Sequence, residues 1–290
     1  MGCVGVLCTP TQPIFGENPP FDIIIVAMPP KIRSHRVEAI VLRHSNWGEA
    51  DRLLWLYTRE LGKVRAVAKG VRKARSRKAG HLEPFTRASL LLAWGREIYI
   101  VTQADTADAH LALREDLMRV GYASYVVELL DRLTYEEGEN PSLYRLLAET
   151  LARLDQEPEP EFAVRYYELR LLDLAGFRPQ LFQCAACEAE IQAEDQYFSA
   201  ERGGVLCPRC GASTPGVRSI SMPALKALRH LQRSSYAEAH RLSLSTTANR
   251  ELENLAGHYL TYLLERSLNT PAFLRQVRHN ASSPTPEVEI

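Results

Sequence analysis

Two Cys-x-x-Cys pairs constrain the fold of this 290-residue chain more than any other feature of its sequence. Cys184 and Cys187 form the first pair, Cys207 and Cys210 form the second, and nineteen residues separate the pairs. Each pair can supply two thiolates, and two pairs can close a tetrahedron around Zn²⁺. Because all four positions are cysteine, no coordination position is left for water. The sequence therefore predicts one zinc ion per chain with a structural role.

Other uses of four cysteines stay open at this point. An iron–sulfur cluster also takes four cysteines, although at different customary spacings. A redox dithiol needs only one such pair, and disulfides are uncommon in the cytoplasm. The stretch between the pairs, Glu188 to Gln196, is rich in acids and amides. It is poorly suited to bind phosphate, which favours a role in stapling the surrounding fold.

The first residues of the chain indicate a cytoplasmic protein. The apolar run Ile23–Met28 is far shorter than the ~20 residues that span a bilayer, and the first basic residue, Lys31, comes after it. We therefore expect neither export nor membrane insertion. Residues 1–34 contain several prolines and show no clear periodicity, so they are predicted to be a disordered or loosely attached extension.

Residues 35–107 have the pattern of a small β-barrel. Lys63–Lys69 alternates cleanly, with Val64, Ala66 and Ala68 on one face, as expected for a half-buried strand. Ser45–Gly48 is predicted to break the first strand. The five predicted strands are Val37–Leu42, Arg52–Thr58, Lys63–Lys69, Thr86–Trp94 and Ile98–Gln103. A five-stranded OB-type barrel is the leading interpretation and an SH3-like barrel is the alternative.

After residue 107 the apolar spacing becomes helical. Helices are predicted at Arg114–Thr134 and Glu161–Ala175, with capped helix starts at Asn140-Pro141 and Ser221, and a last helix at Asn249–Leu268. The predicted fold class is α+β with several domains. A helical domain (108–183 and 211–270) follows the barrel, a zinc finger (184–210) is inserted in it, and residues 271–290 form a disordered tail.

The net charge of zero conceals a strongly basic segment. Arg59–Arg87 contains ten Lys or Arg and two acids, whereas Glu128–Glu161 contains ten acids and three Arg. A loop of single-signed charge with small spacers can follow a phosphate backbone and release its counterions. The candidate nucleic-acid-binding residues are Lys63, Arg65, Lys69, Arg72, Lys73, Arg75, Arg77 and Lys78.

All three tryptophans, Trp47, Trp55 and Trp94, lie in the predicted barrel. OB barrels hold single strands with basic grooves and aromatic side chains on which bases stack. Most of these rings must belong to the core. Trp47 lies in a predicted turn, and it is therefore the candidate for an exposed, base-stacking residue.

No catalytic motif is found. The sequence lacks a Gly-x-x-x-x-Gly-Lys-Ser/Thr phosphate loop, a Gly-x-Ser-x-Gly elbow and a His-Glu-x-x-His zinc motif. The carboxylates of Glu136, Glu137 and Glu139 precede a helix start and are best explained as solvated groups. We therefore expect no catalytic residue, no nucleotide cofactor and no enzyme activity.

Two long strings of residues resemble the RecO family of recombination mediators. The barrel string comprises Gly48–Thr58, Gly62-Lys63, Ala68–Lys73 with Ser76, and Leu82–Phe85. Tyr167–Pro179 then leads into Cys184, in the same order as in that family. Two features differ: residues 1–34 have no recognised counterpart, and Glu188 stands where the family often has glycine.

The resemblance implies an OB barrel, a helical domain and an inserted zinc finger. It also implies that the chain binds single- and double-stranded DNA, anneals complementary strands, and works with RecR in the RecFOR pathway. There it would help RecA to displace single-strand-binding protein from DNA. By this resemblance Lys63, Lys69, Arg72 and Lys73 take the DNA-binding role, and the four cysteines take the role of zinc ligands. Three further hypotheses remain: an RNA-binding OB module, a structural adaptor whose basic loop serves only solubility, and a metal-dependent nuclease.

Overall fold

Five strands form a closed barrel at the start of the part of the chain that the structure describes. The structure, a computed structural model, describes residues 34–134, 138–241, 245–265 and 268–282. The strands follow the order β1-β2-β3-β5-β4, and only the contact between β3 and β5 is parallel. They are β1 (Ser34–Trp47), β2 (Asp51–Thr58), β3 (Gly62–Ala68), β4 (Arg87–Trp94) and β5 (Tyr99–Asp108). This arrangement confirms the five-stranded OB-type barrel. Except for Ser34, the predicted N-terminal extension lies outside the described residues.

Strand β1 is longer than predicted because it pairs with two neighbours in succession. Its first half pairs with β4 and its second half pairs with β2, with a register shift between Val41 and Arg43. The predicted break at Ser45–Gly48 is wrong for the first three of these residues. Pairing with β2 keeps them in the strand as far as Trp47, which lies opposite Asp51. The turn begins at Gly48, whose φ of +58° suits glycine.

The barrel strands bury residues on both faces. Inward-facing side chains alternate along each strand and fill the barrel, as the period of two requires. These residues include Val37, Ala39, Val41, Leu54, Leu56, Ala66, Ala68, Leu90, Leu92 and Val101. Ile40, Leu42 and Tyr57 belong instead to the core shared with the helices. The helical part therefore covers one side of the barrel.

Several helices follow the barrel. They are α1 (Leu111–Glu115), α2 (Leu117–Leu133), α3 (Pro141–Gln156), α4 (Pro160–Leu174), α5 (Pro208–Ala212), α6 (Met222–Arg233), α7 (Tyr236–Ala239), α8 (Thr246–Leu264) and α9 (Thr270–Ser282). Of these, α2, α3, α4, α6 and α8 match predicted helices, whereas α5, α7 and α9 have no predicted counterpart. The side chain of Asn140 caps α3 by accepting the N–H of Leu143, and Ser221 caps α6 by accepting that of Ala224. Within the described ranges, no helix combines the length and the apolarity needed to cross a bilayer.

The prediction of a disordered tail over 271–290 is wrong for its first part, because α9 occupies Thr270–Ser282. Leu274 and Val277 are buried on this helix. Gly121 of α2 allows the close approach, since a β-carbon there would lie 2.7 Å from the Leu274 side chain. The carboxylate of Glu128 accepts the backbone N–H groups of Asn269 and Thr270 at the start of α9. The rest of the tail lies outside the described residues.

The predicted insert 184–210 belongs to a somewhat longer unit. A three-stranded sheet in the order β7-β6-β8 contains β6 (Gln196–Ser199), β7 (Gly204–Leu206) and β8 (Arg218–Ile220). Strand β8 lies beyond the predicted boundary at residue 210, but it belongs to this unit because it pairs with β6. Phe198, Val205 and Ile220 from this sheet are buried in the helical core. The sheet is thus packed onto the helices rather than projecting from them.

Gly62 joins the barrel to the loop before α3, and its replacement by alanine is expected to destabilise the protein. Its φ is +66°, and a β-carbon there would lie 2.1 Å from the carbonyl oxygen of Gly138. Gly62→Ala should lower the free energy of unfolding by about 2 kcal/mol or more, since strain and backbone overlap add. Gly48→Ala is the control: φ is +58° but nothing lies within 4 Å. Denaturant unfolding that gives equal losses for the two variants would contradict this account.

Candidate nucleic-acid interface and metal centre

The four predicted cysteines come together in one cluster. The sulfurs of Cys184, Cys187, Cys207 and Cys210 all lie within 4.8 Å of one another. Those of Cys187 and Cys207 are 3.9 Å apart. A Zn–S bond of about 2.3 Å gives a tetrahedron with edges of about 3.8 Å. The cluster is therefore compatible with one tetrahedral metal ion held by four thiolates.

Local backbone geometry positions each cysteine pair. In the first pair, the N–H of Glu188 donates to the carbonyl of Cys184, and Glu188 adopts a φ of +61°. Such a backbone angle explains why glycine suits this position. In the second pair, Cys207 directly precedes α5, and Gly211 follows Cys210. A β-carbon on Gly211 would lie 2.2 Å from the ring of Tyr197, so only glycine allows this close packing.

Hydrogen-bond donors around Cys184 favour its thiolate form. Burial of the sulfur raises the pKa, but backbone N–H groups of Cys207, Cys187 and Ala186 outweigh that effect and lower the pKa of Cys184 to about 6. Metal ligation requires the thiolate. The surroundings of this buried cysteine are thus suited to a cation at the cluster.

The predicted basic residues divide into a buried one and an exposed set. Seven of them lie on the surface or at its edge: Arg65, Lys69, Arg72, Lys73, Arg75, Arg77 and Lys78. Lys63 is only 8% exposed. Its ammonium group forms a 2.8 Å ion pair with Asp131 and donates to the carbonyls of Asp131 and Thr134. The end of α2 covers Lys63, so this residue fastens the barrel to the helices and has no donor left for phosphate.

Lys63→Met is therefore expected to change stability rather than nucleic-acid affinity. The substitution removes the 2.8 Å ion pair of Asp131, which is 24% exposed, and leaves the longer contact of 3.6 Å to Arg43. Unfolding should become easier by about 1–3 kcal/mol, because a charged hydrogen-bonded pair is lost. Thermal unfolding and oligonucleotide titration measure the two properties. Lys69→Met, at an exposed position, should weaken nucleic-acid binding and leave stability unchanged. A Lys63→Met protein of unchanged stability but weakened binding would refute the structural role of Lys63.

The basic loop, residues 69–78, is fastened to the barrel at both ends. Near its start, the N–H of Gly70 donates to Asp51, and the guanidinium of Arg72 donates to the carbonyl of Glu49 at 3.1 Å. At its end, the ammonium of Lys78 donates to the carbonyl of Val101 at 3.0 Å. Among the described residues, no carboxylate forms an ion pair with a cation of this loop. Within the described ranges, the positive charge of this loop is therefore not neutralised by an ion pair.

The three tryptophans have different surroundings. Trp47 is 54% exposed, as predicted, although it ends β1 and does not lie in the predicted turn. Trp55 is covered by the guanidinium of Arg43, which lies 3.4 Å from its ring centroid. Trp94, at the end of β4, is 52% exposed, and the sequence analysis did not single it out. The available signal was its place immediately before the turn at Gly95-Arg96.

Comparison with known proteins agrees with these features. The family models "Recombination protein O N terminal" and "Recombination protein O C terminal" match residues 32–110 and 114–272. The chain is 43% identical to the DNA repair protein RecO of Roseiflexus sp. (strain RS-1), over 88% of this chain and 89% of that protein. It is 38% identical to the DNA repair protein RecO of Pelotomaculum thermopropionicum, over 84% and 94%. The corresponding protein of Dehalococcoides mccartyi strain 195 is 36% identical over 81% and 93%. The chain therefore belongs to the RecO family of DNA repair proteins.

Proposed function

We propose that this chain is a non-catalytic mediator of recombinational DNA repair. It binds single- and double-stranded DNA and anneals complementary strands. With RecR it helps RecA to load onto DNA coated with single-strand-binding protein, in the cytoplasm and at the nucleoid. The observation that carries this proposal is the exposed, strongly basic loop on an OB-type barrel, in a chain of the RecO family.

Electrostatics alone can drive annealing. Two DNA strands repel each other through their phosphates, and a basic surface that holds both lowers this repulsion and raises their local concentration. No covalent bond is made or broken, so no catalytic group or nucleotide is needed. The DNA-binding residues in this proposal are Arg65, Lys69, Arg72, Lys73, Arg75, Arg77 and Lys78, with Trp47 as a base-stacking residue. Lys63 is left out because its ammonium group is used inside the fold.

The four cysteines are proposed to hold a structural Zn²⁺. Four thiolates leave no coordination position for a reacting water, so the ion does no hydrolytic chemistry. Leu206 and Ile220, close in sequence to the cysteine pairs, are buried in the helical core. The ion therefore acts as a staple that keeps the sheet β7-β6-β8 in place against the helices.

RecA loading tests the proposal. Labelled RecA is added to single-stranded DNA coated with single-strand-binding protein, and its rate of joining the DNA is measured with this chain, with RecR, and with both. We expect a marked acceleration only when both are present. If the folded, metal-loaded chain and RecR leave the rate unchanged, the mediator role is wrong.

Binding and cleavage assays on the same protein distinguish the other hypotheses. An RNA-binding module would prefer an RNA oligonucleotide to DNA of the same sequence. A structural adaptor would bind neither at moderate salt. Incubation of labelled DNA with Mg²⁺ tests for nuclease activity, and we expect no cleavage.

A further inference from the structure

Trp94 is held in an exposed position by a small aromatic cluster at the β4–β5 turn. Its ring meets that of Tyr99 edge to face, with centroids 4.6 Å apart and an angle of 76°. Tyr99 in turn meets the ring of His35 at 6.2 Å. The turn itself is closed by the N–H of Gly95, which donates to the carbonyl of Ile98. More than half of Trp94 nevertheless remains in water.

The basic loop runs from the neighbourhood of one exposed tryptophan to that of the other. At its start, Arg72 is bonded to the turn that follows Trp47. At its end, Lys78 is bonded to Val101, two residues after Tyr99, and Tyr99 pairs with Trp94 across the sheet. A phosphate backbone that follows this loop therefore passes from the β1–β2 turn toward the β4–β5 turn.

These two turns are the positions from which OB barrels contact oligonucleotides. A large aromatic ring that is left in water and fixed by a neighbouring ring is ready to stack on a nucleobase without further ordering. Stacking needs the open face of a base, which a base inside a duplex does not offer. Stacking contacts therefore distinguish single strands from duplexes, whereas contacts to phosphate do not.

We propose that Trp94, positioned by Tyr99, stacks on a base of single-stranded DNA. Trp47 and Trp94 then bind bases toward the two ends of one strand, whose phosphates follow the basic loop between them. This inference rests on the DNA binding proposed above and adds a residue that gives preference for unpaired strands. A bound strand must reach both rings, so affinity rises with oligonucleotide length up to a limit within the ~4–16 nucleotides typical of one OB fold.

Trp94→Leu tests the inference, because leucine keeps an apolar side chain over Tyr99 but has no aromatic face. We expect it to weaken binding of a single-stranded oligonucleotide about fivefold or more. Binding of a duplex and the salt dependence should stay unchanged, and Trp94→Phe should retain most of the affinity. Tyr262, an aromatic residue of α8 that is 48% exposed, provides the control variant Tyr262→Leu.

A strand with abasic sites supplies the second arm. The difference between intact protein and Trp94→Leu should vanish on a fully abasic strand of the same length, since no base is left to stack. Equal affinity of the two proteins for the normal strand would overturn the role of Trp94 while leaving DNA binding intact. Equal weakening on single strand and duplex would overturn it as well. If the intact protein bound neither DNA, the proposed function and this inference would both be wrong.

Discussion

Loss of the metal is expected to unfold the region around the cysteine cluster. Cys210→Ser should abolish stoichiometric zinc and lower the melting temperature strongly, because metal binding contributes directly to folding. This contribution is about 10–16 kcal/mol in isolated zinc-finger peptides. In a larger protein other contacts persist, so only part of this stabilisation is lost. We therefore expect the free energy of unfolding to fall by several kcal/mol. Metal analysis and thermal unfolding measure the two effects.

The effect should be local as well as large. The interior of the barrel forms a core of its own, whereas Phe198, Val205 and Leu206 belong to the core of the helices. Hydrogen exchange in the zinc-free protein should therefore rise around β6, β7 and β8 and in the helices before it rises in the barrel. Cys3→Ser is the control, since Cys3 stands outside both pairs. A variant Cys210→Ser that kept its zinc and its melting temperature would rule out the predicted site.

Reversal of charge in the basic loop should nearly abolish DNA binding. The variant Lys69→Glu/Arg72→Glu/Lys73→Glu removes three cations and adds three anions next to the bound phosphates. Affinity at physiological salt should fall about 100-fold or more, and the slope of log affinity against log salt should decrease by about 3. These residues are exposed, and the hydrogen bonds of Arg72 to Gly48 and Glu49 also lie at the surface, so the melting temperature should change little. Titration of a labelled oligonucleotide at several salt concentrations gives both quantities.

A second triple variant shows whether position or total charge matters. Arg145→Glu/Lys226→Glu/Arg241→Glu makes the same change of net charge at exposed positions of the helical part. This control should lose only a few-fold in affinity, through long-range repulsion that salt screens. If the two triple variants bound DNA equally weakly, the loop would not be the binding surface.

Local patterns in the sequence were sufficient for much of the fold. Alternation in Lys63–Lys69 identified β3, and the pairs Asn140-Pro141 and Ser221-Met222 identified helix starts that the side-chain caps confirm. The length of β1 and the presence of α9 depend on partners far along the chain. Ser45–Trp47 stays extended because of β2, and α9 is held by Gly121 and Glu128 of α2. Such contacts leave no short-range periodicity to read.

The candidate site shows the same limit. The Cys-x-x-Cys spacing alone was enough to predict that the four cysteines lie together, because each pair is a local unit. Alternation placed Lys63 on the same strand face as Arg65 and Lys69, yet Lys63 is buried against the end of α2, whereas Arg65 and Lys69 are exposed. Trp47 and Trp94 both end strands beside a turn, but this position alone does not show that Trp94 remains exposed beside Tyr99. Burial of this kind is decided by packing between distant segments.

The central claim is that the basic loop brings complementary DNA strands together. Its most direct test is the annealing rate of two complementary oligonucleotides precoated with single-strand-binding protein, without nucleotide, at low and physiological salt. We expect the intact protein and the control variant Arg145→Glu/Lys226→Glu/Arg241→Glu to accelerate annealing, and Lys69→Glu/Arg72→Glu/Lys73→Glu not to. If the intact protein, folded and zinc-loaded, left the rate unchanged, the claim would be contradicted. Equal acceleration by the loop variant would contradict the assigned surface.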